Sequence, residues 1–171
     1  MKEIERKLIS ELLKNSRRSD RELAKAIGTS QPTTTRLRTK LEKEGFIREY
    51  TIIPNFNKIG YNIMSLNFLK LDPKLTEQEI ERFRQTHPDT MGKDLFGVVS
   101  IYRGIGLGYD SVVVSFHQNF ASYDSFRHYV KQRMGANVTE MNTFLVNLGE
   151  NINLSPTFSF LARQFLKSES K

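Results

Sequence analysis

Gln31, Thr33, Thr35, Arg36, Thr39 and Lys40 are the residues of this 171-residue chain whose types and spacing point most directly to a chemistry. They fall in a stretch, QPTTTRLRTKLEK, that carries no acidic residue before Glu42. On a helix turning about 100° per residue, Thr34, Leu37 and Leu41 share one side. Pro32, Thr35, Arg36, Thr39 and Lys43 share the opposite one, Gln31 and Lys40 flank them, and Arg38 sits at the margin. Outward-facing residues of these kinds read base edges. Glutamine pairs with adenine, arginine with guanine, and a threonine methyl packs on the thymine methyl. Arg17, Arg18, Arg38, Lys43 and Arg48 surround the stretch, and cations so placed suit phosphate contacts, which set position without reading sequence.

Such a helix needs neighbours to hold it out. Residues 3–14 place Ile4, Leu8, Ile9, Leu12 and Leu13 at helical spacing. Ser19 and Glu22 form an S-x-x-E capping box that opens a short second helix with Leu23, Ala24 and Ile27 as its stripe; Gly28 stops it. Ser30 caps the third helix, Pro32 fits its first turn, and Gly45 ends it. Phe46–Ile53, rich in Phe, Ile, Tyr and Thr, reads as a strand. Helix, short helix, tight turn, helix and strand is the order of a winged helix-turn-helix, whose third helix fits the major groove. A small helical bundle with a solvated polar face explains the charges but not this order of lengths and stops.

Charge supports the same reading. The chain carries a net +7, and residues 1–60 hold 14 Lys and Arg against 8 Asp and Glu, whereas residues 61–171 hold 12 against 11. A localised basic region concentrates polyanions, of which DNA is the commonest in a cell. Solubility charge is the plain alternative. With no cysteine, disulfides and thiolate zinc sites are excluded and a reducing cytoplasm is the simplest home. No run of 18 apolar residues suggests a membrane span, and the N-terminus does not read as a signal peptide.

The second half changes period. Met64–Leu71, Leu95–Tyr102, Ser111–His117 and Val138–Val146 read as strands. Helices are expected from Thr76 to His87–Pro88 and from a cap at Ser122 through Met134. The order is β-α-β-β-α-β, a ferredoxin-like arrangement, and the fold class is therefore α+β. The implied organisation is a DNA-binding domain at 1–53, a turn-rich linker at 54–62, a ferredoxin-like domain at 63–149 and a helical tail at 150–171. In the tail, Phe158, Leu161, Phe165 and Leu166 suit packing on the chain's own sheet or on a partner.

Together, RELAKAIGTS, TRLRTKLEKEGFI and the closing P-x-x-x-x-x-G-Y resemble the N-terminal half of the leucine-responsive/asparagine (Lrp/AsnC) regulators. The β-α-β-β-α-β order and the glycine-rich connection RGIGLGYD, ending in Asp110, are similar to that family's ligand-sensing domain. The resemblance covers roughly residues 4–147. It implies a homodimer or higher oligomer paired through the C-terminal domains, double-stranded DNA as partner and amino-acid effectors. By that match Gly104, Gly106, Gly108 and Asp110 are the effector-site candidates. The connection is longer and richer in glycine than the family's short turn, and the tail is extra.

No catalytic set stands beside this. The glycine run precedes a strand rather than a helix and lacks the spacing of a phosphate cradle. His87, His117 and His128 have neither metal-ligand spacing nor partner carboxylates. The expectation is a sequence-specific transcription regulator with no enzymatic activity, no cofactor and no metal site. The alternative of another class is a non-specific architectural nucleic-acid-binding protein.

Overall fold

The computed structural model describes residues 1–76, 78, 97–135, 137–150 and 157–167. The chain divides into two compact units, one of residues 1–53 with 154–171, the other of residues 54–153. The helix expected from Thr76 onward and the expected strand start at Leu95 fall outside the described residues.

In the first unit, α1 spans Glu3–Lys14, α2 Asp20–Ile27 and α3 Gln31–Lys43. Each boundary has a local cause. Ser19 accepts a hydrogen bond from the Glu22 amide, while the Glu22 carboxylate accepts from the Ser19 amide at 2.8 Å. Gly28 closes α2 in the left-handed region at φ 73°, where a side chain would be strained. Ser30 caps α3, and the Thr33 amide donates to its hydroxyl. Leu8, Leu12, Leu23, Ile27 and Leu41 form the common core, with Ile4, Ile9, Leu37 and Ile47 packed around it. Fully burying side chains of this size is worth about 1.5–3 kcal/mol each, so the three helices hold one another rather than standing alone.

The strand expected over Phe46–Ile53 does not form; these residues lack regular structure. The amides of Phe46 and Ile47 both donate to the Leu41 carbonyl, and so are spent closing the end of α3. Among the described residues the unit has no strand to pair with, and Ile52 is 72% exposed. β-propensity without a partner edge does not make a strand. The unit gains instead a fourth helix, α5 (Ser159–Lys167), which packs on α1. Ala162 is fully buried and Phe165 half-buried at the α1 contact, whereas Phe158, Leu161 and Leu166 stay exposed.

The second unit is a four-stranded antiparallel sheet in the order β2-β3-β1-β4, with β1 at Ile63–Leu71, β2 at Val98–Gly106, β3 at Tyr109–His117 and β4 at Val138–Asn147. This is the strand order of a ferredoxin-like sheet. α4 (Phe120–Met134) covers one face, where Tyr123, Phe126 and Val130 bury Leu69 and Val113. Its cap is Asn119, not Ser122. The Asn119 side chain accepts from the Ser122 amide at 3.0 Å, reaching the third helical residue as a cap must.

The same buried face has a polar seam. Ser65, Asn67 and Ser115 have no exposed surface, and His117 almost none. The Ser65 and Ser115 hydroxyls lie 2.7 Å apart, and His117 Nε2 is 2.9 Å from Ser115 and 3.2 Å from Ser65. Asn67 donates to Ser65 and accepts from Thr143, both at 2.9 Å. Mutual satisfaction is what makes such a seam tolerable inside a core. On the opposite face, Leu66, Phe68, Val112 and Val114 are half-exposed, and Tyr102 and Phe144 are each 62% exposed. Residues 54–62 pack against this unit: Phe56 stacks on Phe116 with ring centroids 4.0 Å apart, and Tyr61 meets the same ring edge-on.

Candidate nucleic-acid interface

The inner side of α3 carries buried Thr34 and Leu41 with half-buried Leu37, as its spacing predicts. The outer side presents Gln31, Pro32, Thr35, Arg36, Thr39 and Lys43 to solvent, with Thr33 half-exposed beside the Ser30 cap. Exposed Arg17, Arg21 and Lys25 lie on and before α2, and exposed Arg48 follows α3. The unit therefore offers a rod with hydroxyl, amide and guanidinium groups facing out, among cations from other segments.

Three of the cations among the candidate DNA ligands are engaged within the protein. Arg38 forms an ion pair with Asp20 at 2.9 Å, donates to the Arg18 carbonyl at 3.3 Å and lies over the Tyr50 ring at 5.7 Å. Lys40 pairs with Glu5 of α1 at 2.6 Å and with Glu44 at 3.8 Å. The hydrogen bond from Lys40 holds the Glu5 carboxyl below its ordinary range, and the same bond pushes the Lys40 ammonium up. Arg18 pairs with Glu11. Thr35 has a double role: it stands at the surface while its hydroxyl hydrogen-bonds Asp20 at 2.7 Å. Tyr50 donates to Glu42 at 2.8 Å, and desolvation first, then this bond, pushes its phenol up to about 12.

Asp20 and Glu5 were not singled out by sequence. One fixes α2 against α3 and the other fixes α1 against α3. Their neighbours along the chain show only helix-opening acids, favourable near any helix N-terminus. The partners stand 18 and 35 positions away. The exposure of Arg21 could have been found, because it faces away from the stripe of Leu23, Ala24 and Ile27.

The glycine-rich connection is shorter than it reads. β2 continues to Gly106 and β3 begins at Tyr109, leaving a two-residue turn of Leu107 and Gly108, both at positive φ (53° and 80°). Gly104 and Gly106 lie in β2, where the register slips by one residue between Arg103 and Gly106. Asp110 lies in β3, and its carboxylate accepts the Leu71 amide of β1 at 2.9 Å. Gly104, Gly106, Gly108 and Asp110 are thus brought to one end of the sheet. Among the described residues, no cluster of His, Asp and Glu is arranged to hold a metal ion, and no helix is long and apolar enough to cross a membrane.

A helix-turn-helix with an outward rod, carried on a chain with a ferredoxin-like sheet, defines the class: a two-unit DNA-binding regulator. A family described as winged helix-turn-helix DNA-binding matches residues 1–48. An HTH-type transcriptional regulator of Pyrococcus abyssi is 30% identical over 154 residues, covering 90% of this chain and 98% of that one. In fold, the chain is similar to an AsnC family transcriptional regulator from Agrobacterium tumefaciens, with a TM-score of 0.72 at 20% identity over 91% of this chain and 94% of the other. It is also similar to a transcriptional regulator from Neisseria meningitidis solved as a complex with L-Met, with a TM-score of 0.70 at 15% identity over 92% and 95%. The chain belongs to the HTH-type transcriptional regulators, and its fold is that of the AsnC family.

Proposed function

We propose that this regulator binds DNA sequence-specifically as a dimer or higher oligomer, with α3 in the major groove of each half-site. The observation that carries the reading is the sorting of polar groups on α3. Arg38 and Lys40 are tied down by Asp20 and Glu5, whereas Gln31, Arg36, Thr39 and Lys43 stand clear at the surface. Base reading falls to Gln31, Thr33, Arg36 and Thr39, with Thr35 held in place by Asp20. Arg17, Arg21, Lys43 and Arg48 supply phosphate contacts, and Arg18 and Arg38 brace the rod.

Two half-sites require two copies, and symmetry sets their separation at about one helical turn or a multiple. The half-exposed apolar sheet face around Leu66, Val112 and Phe144 suits the pairing surface, because such a face is costly to leave in water. The end of the sheet bearing Gly104, Gly106, Gly108 and Asp110 is the effector region, and an amino acid is the effector class. The L-Met complex of the Neisseria relative supports that class.

Selection of bound sequences from random DNA, followed by competition between the selected site and random DNA, tests the reading. A specific regulator prefers its site by about 10³-fold or more. A preference below about tenfold would instead give the chain the role of an architectural DNA-binding protein. Repeating the selection with an amino-acid pool tests the effector: a change in affinity or in preferred spacing supports it.

A further inference from the structure

The buried surface of α1 is not uniformly apolar. Arg6 and Ser10, one helical turn apart, are both buried, and both bond to α5. The Ser10 hydroxyl donates to the Ala162 carbonyl at 2.9 Å, and neither residue retains exposed surface, so two small side chains let the helices approach closely. The Arg6 guanidinium donates to the Phe165 carbonyl at 2.7 Å and lies over the Phe165 ring, 5.3 Å from its centroid. Phe165 is in the last turn of α5, where a cation is favoured. Docking is thus specified by hydrogen bonds of fixed geometry as well as by apolar contact. Without α5, α1 would offer a serine and an arginine in place of a continuous apolar stripe.

The chain leaves the reading unit after Ile53 and returns to it at Leu154. With α5 docked, the unit has two covalent connections to the sheet unit; with α5 released, it has one. We propose that α5 is a second tether of the DNA-reading unit, which makes a dimer demand one spacing between its half-sites. This inference rests on the two-half-site reading above. A head held by one flexible connection can reach sites over a range of distances at small entropic cost, whereas two connections narrow that range. Arg6, Ser10 and Ala162 are then positioning residues that touch no DNA.

The test uses the full chain with Ala162→Glu, which puts a charge into the closed helix contact, and Arg6→Met, which removes the Phe165 bond without entering the leucine core. Gln164→Ala, on the exposed side of α5, is the control. Amide exchange of α5 reports docking. Affinity is measured on the selected operator and on the same operator with about five base pairs inserted between half-sites, half a helical turn. Wild type and Gln164→Ala should lose about 100-fold or more on insertion, while a variant with fast-exchanging α5 amides should lose less than about tenfold. Rapid exchange with an undiminished spacing penalty overturns the proposal, as does unchanged exchange in both docking variants. A wild type indifferent to the insertion overturns the tether, whereas a wild type that binds a single half-site as tightly as the pair overturns the two-half-site reading itself.

Discussion

Asp20 and Arg38 meet at 2.9 Å between α2 and α3, and Thr35 donates to the same carboxylate at 2.7 Å. One acidic side chain at the start of the short helix therefore fixes two positions of the long one, a turn apart. Both partners are largely shielded from water, so losing one side leaves a charge poorly compensated. Asp20→Ala should lower the unfolding free energy by about 1–3 kcal/mol and reduce the preference for the selected operator. Urea denaturation and the competition assay measure the two effects. A change under about 0.5 kcal/mol, the range of an ordinary surface substitution, would remove Asp20 from this role.

Positioning and phosphate contacts should separate by their salt dependence. Replacing exposed Arg17 by Ala should weaken binding to operator and random DNA alike, and lower the slope of log affinity against log salt by about one. Arg38→Ala should act differently, because its guanidinium is committed to Asp20. It should lower stability and operator preference with little change in the salt slope. Equal slope changes in the two variants would show that Arg38 reaches phosphate.

His117 gives the sheet unit a pH dependence of definite sign. Burial among Ser65, Ser115, Tyr123 and Phe126 lowers its pKa from the ordinary 6.5. Below 6.5 the unfolded chain binds a proton that the folded chain resists, so stability is retained above that pH and declines as the pH falls through the window beneath it. His117→Gln should flatten this part of the profile. The check is the urea midpoint between about pH 5 and 8, the range in which histidines titrate.

Leu107 sits at φ 53°, 86% exposed, in the turn between β2 and β3. A leucine there bears the strain of the left-handed region and buries nothing in return. Leu107→Asn, giving the Asn-Gly pair favoured in two-residue hairpins, should stabilise the sheet unit by about 0.5–1 kcal/mol. No gain in denaturation midpoint would mean that the leucine side chain is held by contacts of its own.

How far the sequence spoke depended on the range of the interaction. The limits of α1, α2 and α3 were legible because their causes are local: Ser19 with Glu22, Ser30 with Pro32, Gly28 and Gly45. So was the inner face of α3, since helical spacing alone puts Thr34 and Leu41 on one side. Phe46–Ile53 was misread because strand formation needs a second strand, which composition cannot supply. The glycines of 104–108 read as a long connection, yet pairing of Gly106 with Tyr109 carries the strands to a two-residue turn. The commitments of Arg38, Lys40 and Arg6 were invisible because their partners lie far along the chain.

Arg36 gives the most direct test of the claim that α3 reads bases. Competition between the selected operator and random DNA should be measured for wild type and Arg36→Ala at one salt concentration. The operator preference of the variant should fall by about 1–3 kcal/mol, or roughly 5- to 150-fold, with binding to random DNA only slightly weakened. An unchanged preference, with α3 intact, would contradict the assignment of its outer face to base recognition.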